Sequence, residues 1–83
     1  MQITLKLYAM LTDYLPEQAV RNEASLELSE GSSVAEIVQQ LKLPKNLVHL
    51  TLVNGSYIAP EQFAETVLND GDVLAIWPPV AGG

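Results

Sequence analysis

Glu30-Gly31-Ser32-Ser33-Val34-Ala35-Glu36-Ile37-Val38-Gln39-Gln40-Leu41-Lys42-Leu43-Pro44 is the stretch on which the fold turns. Glu30 to Ser33 reads as a turn running into a helix. Ser33 and Glu36 have capping-box spacing, so each side chain can satisfy a backbone amide at the helix start; Ser32 competes for the cap. Val34, Ile37, Val38 and Leu41 fall at i, i+3, i+4 and i+7 and form one apolar stripe. Gln39, Gln40 and Lys42 lie off it. Pro44 stops the helix by about Leu43, because the residue before a proline is pushed out of the helical region.

Strand patterns flank this helix. Ile3, Leu5 and Leu7 alternate with Gln2, Thr4 and Lys6, the period of a half-buried strand. Tyr8 to Leu15, closed by Pro16, reads as a short turn or helical piece. Leu26 and Leu28 alternate with Ser25, Glu27 and Ser29, a second strand that pairs with the first through a long loop. Beyond the helix, Val48 to Val53 reads as a third strand. Asn54-Gly55 is a strong two-residue hairpin signal, since both positions tolerate positive φ. Ser56 to Ile58 is a short return strand, and Ala59 to Leu68 a connection with a helical turn around Glu61 to Glu65. Asn69 to Asp72 is a turn. Val73 to Trp77, apolar on both faces, is expected at the centre of the sheet or covered on both sides.

The order is strand, strand, helix, strand, short strand, strand, with no internal repeat. A long crossover containing the helix lets the first and last strands run parallel. The expected class is α+β, a β-grasp (ubiquitin-like) fold: a mixed sheet of about five strands packed on one main helix. Residues 1–77 make the domain, and 78–83 an extended, flexible tail.

Composition narrows the chemistry. The 83 residues allow one small domain, and 48% are apolar, as in a folded globular chain. Four Lys and Arg against ten Asp and Glu give a net charge of −6. That argues against nucleic acid and anionic membrane surfaces, and favours a basic face on any protein partner. Without cysteine there is no thiolate nucleophile and no Cys-ligated metal; with His49 the sole histidine, a multi-His site is excluded. No metal site and no bound cofactor are expected. No apolar run approaches the roughly 18 residues of a membrane span. The N-terminus lacks the pattern of a signal peptide, so a cytoplasmic location is expected. No phosphate loop or nucleophile elbow is present, and Asp70/Asp72 and Glu61/Glu65 read as solvated surface charge. No catalytic residue is assigned to the chain.

Its last residues are a different matter. Pro78-Pro79 cannot continue a sheet ladder and project Val80-Ala81-Gly82-Gly83 away from the body. Glycines without Cβ let backbone thread a narrow tunnel and present an unhindered carboxylate. Six extended residues reach roughly 20 Å, enough to enter a partner's active site while the domain docks outside. A terminal carboxylate can be activated as a mixed anhydride and converted to a thioacid or an amide, with the catalytic work done by the partner.

These features resemble the small subunits of molybdopterin synthase, ubiquitin-like sulfur carriers of the MoaD/ThiS family. The similarity spans the chain. It rests on the first strand with Tyr8-Ala9, Gly31-Ser32-Ser33-Val34, Val53-Asn54-Gly55, Leu68-Asn69-Asp70-Gly71-Asp72 and above all Trp77-Pro78-Pro79-Val80-Ala81-Gly82-Gly83. The resemblance implies that a ubiquitin-activating-type adenylyltransferase uses ATP to adenylate the Gly83 carboxylate. A sulfur donor protein then replaces AMP to leave a thiocarboxylate. The tail enters the large synthase subunit and gives sulfur to precursor Z in molybdenum cofactor biosynthesis. Two carriers and two large subunits make the usual heterotetramer.

A docking face is also expected. If Ile3, Leu5 and Leu7 face the helix, parity turns Tyr8 away from it; if Leu74 and Ile76 face the helix, Trp77 turns away too. Tyr8, Tyr57 and Trp77 are therefore expected to form an exposed aromatic patch around the tail root, contacting the large subunit. Three other readings stay open: a thiazole-biosynthesis sulfur carrier, a ubiquitin-like modifier forming isopeptide bonds, and an interaction module with an inert tail.

Overall fold

The computed structural model describes residues 1–80. Five strands form one sheet: β1 (Gln2–Leu7), β2 (Glu23–Glu27), β3 (Leu50–Val53), β4 (Ser56–Tyr57) and β5 (Val73–Trp77). Their order is β2-β1-β5-β3-β4. β1 and β5 run parallel at the centre; the other pairs are antiparallel. The helix α1 (Val34–Gln40) lies in the crossover between β2 and β3. This is the ubiquitin-like β-grasp expected from the alternation of strand and helix periods.

Burial follows the pleat. Ile3, Leu5 and Leu7 of β1 and Leu74 and Ile76 of β5 are shut off from solvent, together with Val34 and Ile37 of α1. Val38 and Leu41, the other half of the helical stripe, are partly buried against the same core. Central placement of β5 explains its composition, since Ala75 on its other face is also buried.

Both ends of α1 have identifiable causes. Ser33 is the N-cap, its Oγ accepting from the Glu36 amide at 3.2 Å. The Glu36 carboxylate accepts from the Ser33 hydroxyl at 3.4 Å rather than from the cap amide, so only half of the capping box forms. Ser32 does not compete: its hydroxyl donates to the Ser29 carbonyl at 2.8 Å. Ser33→Ala is expected to cost about 1 kcal/mol, read as a lower urea midpoint. At the far end α1 stops before Leu43. Leu43 N–H donates to the Val38 carbonyl at 3.1 Å and Lys42 N–H to Gln39 at 3.1 Å, the paired bonds of a Schellman stop. Lys42 takes the left-handed position, φ +58°, where glycine is usual.

Several expected elements are shorter or tighter than the patterns suggest. The segment after β1 is a 3₁₀ helix, Ala9–Tyr14, and a single 3₁₀ turn, Pro60–Gln62, occupies the last connection. A third such turn, Lys45–Leu47, delays the start of β3 to Leu50. The Asn54-Gly55 hairpin forms as expected, with φ +51° and +84° and Val53 opposite Ser56. Asn54 also ties that turn to the next one. Its amide donates to Asp72 Oδ1 at 2.9 Å, and its carbonyl oxygen accepts from the Val73 amide at 2.9 Å.

One buried polar atom is unmatched: among the described residues, the Thr51 hydroxyl faces the core with no hydrogen-bond partner. Valine keeps the branched shape and removes the desolvated hydroxyl. Thr51→Val is therefore expected to raise stability by about 1 kcal/mol, measured as a higher urea midpoint.

The Met1 ammonium is held at the sheet edge, donating to the Leu28 carbonyl at 2.9 Å and pairing with Glu27 at 3.1 Å. The hydrogen bond to Glu27, helped by the charges of Glu27, Glu30 and Asp70, raises its pKa above the ordinary 8.0 against an opposing desolvation. A raised amine stabilises the fold fully below pH 8.0 and loses that contribution as pH climbs through the folded value. The thermal midpoint is expected to fall from pH 8.0 upward, and Glu27→Gln to flatten that fall.

Candidate functional site

The face of the sheet turned away from α1 carries the apolar surface. Parity places Thr4 and Lys6 of β1, Val73, Ala75 and Trp77 of β5, and Leu50 and Leu52 of β3 on it. Register aligns them: Trp77 lies opposite Leu50, and Ala75 lies between Lys6 on one side and Leu52 on the other. Tyr57 of β4 sits opposite Leu52 and extends the same face to the sheet edge.

Tyr8 and Trp77 stack, with ring centroids 4.1 Å apart and planes 7° from parallel. The backbone sets this up. Tyr8 N–H donates to the Ile76 carbonyl at 3.2 Å, continuing the β1–β5 ladder one residue past β1. The Trp77 carbonyl accepts from the His49 amide at 3.1 Å, which holds the end of β5 against the chain entering β3. Both rings are half-buried, while Tyr57 is 58% exposed and Leu50 37%. The sequence-derived trio thus shares one face, but in two parts. Tyr8 and Trp77 are in contact, whereas Tyr57 lies beyond β3 and nearer the opposite end.

Leu50, exposed, and Leu52, half-buried, complete the surface and were not among the expected site residues. Their signal was hidden because β3 is apolar at Leu50, Leu52 and Val53 alike, so its pattern does not declare a face. Only the register against β5 does.

Past Trp77, Pro78 is buried, and Pro79 and Val80 are exposed, Val80 at 83%. The tail root therefore lies beside the stacked pair. Ala81, Gly82 and Gly83, which carry the expectations about sulfur, lie outside the described residues.

Away from this face the acidic turn is occupied by backbone amides, one of β1 and one of its own. Asp70 Oδ1 accepts from the Gln2 amide at 2.7 Å, and Asp72 Oδ2 from the Asn69 amide at 2.8 Å. Among the described residues no group of three or more His, Asp or Glu is placed to hold a metal ion. Nor is any helix there long and apolar enough to cross a membrane. What the site offers is an apolar, aromatic surface with the chain's C-terminal segment leaving its edge.

The ThiS family model matches residues 11–83, nearly the whole chain. The chain belongs to the ThiS family. That family is the ThiS/MoaD-type family of ubiquitin-like sulfur carriers. Solved structures share its fold over their full lengths. SAMP1 from Haloferax volcanii superposes with a TM-score of 0.70 at 20% identity, each chain covered 100%. The thiamine biosynthesis protein ThiS from Geobacter metallireducens gives 0.67 at 20% identity, again covering 100% of both. A chain from the complex of subunits 1 and 2 of molybdopterin-converting factor of Helicobacter pylori gives 0.63 at 22% identity, with 100% of each chain covered. Among curated proteins nothing matches the chain.

Proposed function

We propose that this chain is the sulfur-carrying small subunit of a molybdopterin synthase. The family match running through Gly82-Gly83 carries the reading, because it includes the carboxylate on which the chemistry would take place. A carboxylate resists nucleophiles. Transfer of an adenylyl group from ATP to Gly83, with pyrophosphate leaving, makes an acyl adenylate whose AMP departs readily. A ubiquitin-activating-type adenylyltransferase does this work, and sulfur from a donor protein displaces AMP to leave the thiocarboxylate. The carrier then docks on the large subunit, in a heterotetramer of two carriers and two large subunits, and its tail delivers sulfur to precursor Z. Docking converts sulfur attack into an effectively unimolecular event.

The outer sheet face fits the docking role. Tyr8, Trp77 and Tyr57 present rigid aromatic surface, and Pro78, Pro79 and Val80 lead from the stacked pair towards Ala81, Gly82 and Gly83. Family-level support for a large-subunit partner comes from the complex of subunits 1 and 2 of molybdopterin-converting factor, which has a chain of this fold. The apolar-Pro-Pro-Val-Ala-Gly-Gly ending favours the molybdopterin branch.

The thiazole branch has two observations on its side, the ThiS family description itself and the fold shared with the thiamine biosynthesis protein ThiS. Intact mass after incubation with ATP, the activating enzyme and a sulfur donor tests the shared chemistry. The expected product is heavier by the difference between sulfur and oxygen, at Gly83. Offering that product to large synthase subunit with precursor Z, or to a thiazole synthase, separates the branches. Turnover only by the thiazole synthase would reject the molybdopterin reading. Covalent conjugates to lysines without any thiocarboxylate would reject both in favour of a modifier.

A further inference from the structure

The side of the domain that carries α1 has a groove of about 810 Å³. Its apolar lining comes from Val38 of α1, Leu43, Val48 and Phe63, and two lysines, Lys42 and Lys45, stand along it. It lies across the sheet from the Tyr8–Trp77 pair, so one partner can occupy each side.

Three observations single out the lysines. The chain has only four Lys and Arg against ten Asp and Glu, yet two of the four line this groove. The ion pairs among the described residues are Met1–Glu27 and Lys6–Glu23; neither groove lysine takes part in one, although Glu61 lines the same groove. Moreover, Lys42 holds the left-handed position that ends α1, φ +58°. Glycine would fill that position without strain, whereas lysine pays a backbone cost there and places a cation at the rim.

We propose that the groove is a second docking site, for a protein segment that alternates apolar residues with carboxylates. The apolar residues sit against Val38 and Phe63, and the carboxylates pair with Lys42 and Lys45. Charge complementarity fixes this choice: the groove is a cationic rim on an acidic chain, whereas a second copy would bring ten carboxylates and a net −6 against the rest of the surface. The site does not depend on the tail chemistry and leaves the outer sheet face free.

The test is titration of the isotope-labelled full chain with a short capped peptide of alternating leucine and glutamate, followed by amide shifts. Shifts confined to Val38, Lys42, Leu43 and Phe63 are expected. They should weaken with added salt and lose about tenfold in affinity in the K42E/K45E double variant. Lys42→Gly should raise the denaturation midpoint while weakening the peptide. Ala64→Trp, at an exposed lining position, should block the apolar seat with the fold intact. Absent shifts, shifts centred on Tyr8 and Trp77, or equal binding of the lysine-for-glutamate peptide would overturn the proposal. So would Lys42→Gly leaving affinity unchanged, which reduces that lysine to a helix stop. Equal affinity for N-acetyl-leucine alone would replace the protein segment with a small carboxylate ligand.

Discussion

Deletion of Gly83 is expected to abolish thiocarboxylate formation while leaving the domain folded. The shortened chain still ends in a glycine carboxylate, that of Gly82, so the reacting group is not lost. It is displaced. One extended residue spans about 3.3 Å, and near-attack geometry tolerates far less; a shift of about 1 Å can cost about 100-fold in rate. Once the domain docks through its outer face, the tail length sets where the carboxylate arrives, and a chain one residue short cannot reach the ATP α-phosphate in line. Gly83→Ala probes the other requirement. It keeps the length and adds a Cβ in the tunnel, so it should slow adenylation less than deletion does. Intact mass of the product reads both variants, and thermal melting should be unchanged because residue 83 lies beyond β5. Full thiocarboxylation of the deleted chain would show that the terminal position does not matter and would sink the carrier mechanism proposed for Gly83.

The parts of this architecture that could be read from the sequence are those in which local chemistry and tertiary packing agree. Ser33 caps α1 because its oxygen reaches an amide that no backbone carbonyl can serve, and the pattern Ser-x-x-Glu announces it. Asn54-Gly55 turns because both residues accept positive φ. The apolar run of β5 needs cover on both faces and is central. Tyr8 and Trp77 lie on the outer face because alternation on β1 and β5 leaves no other place for them. Where local signals were weak, the structure decided. Tyr8 to Leu15 is too short for periodicity to separate 3₁₀ from α, and only the fold shows the tighter form. Pro44 sets the latest possible end of α1, but the left-handed Lys42 ends it sooner, and nothing in a lysine advertises that conformation. Leu50 and Leu52 join the patch through register with β5, a non-local fact. The groove beside α1 was equally hidden, since its walls come from segments far apart in the chain.

Trp77→Ala is expected to weaken binding to the large subunit of molybdopterin synthase by about 100-fold, the scale of a central aromatic hot spot. The residue stands where three features meet: the stack with Tyr8, the neighbour Leu50 across the β5–β3 ladder, and the start of the tail. Truncation removes a large, rigid apolar surface and also leaves Tyr8 without its partner, a contact worth about 0.5–1.5 kcal/mol on its own. Because Trp77 is half-buried, part of any loss could come from the fold, and two further variants separate the effects. Tyr57→Ala and Leu50→Glu change exposed positions of the same face and should leave melting nearly unaltered. Leu50→Glu should weaken binding strongly, because a carboxylate would be desolvated in the interface beside an apolar partner. Tyr57, at the sheet edge, should contribute less, about fivefold, as a residue of the rim. Val20→Ala, 71% exposed but in the turn preceding β2, serves as the neutral control. Titration calorimetry against the large subunit measures all four. A Tyr8→Ala/Trp77→Ala cycle measures the coupling between the rings: the double variant should lose less than the sum of the two single losses if the stack itself is what the partner reads. Unchanged affinity in both Trp77→Ala and Leu50→Glu would remove the outer face from the docking surface. The tail would then have to find its tunnel without it.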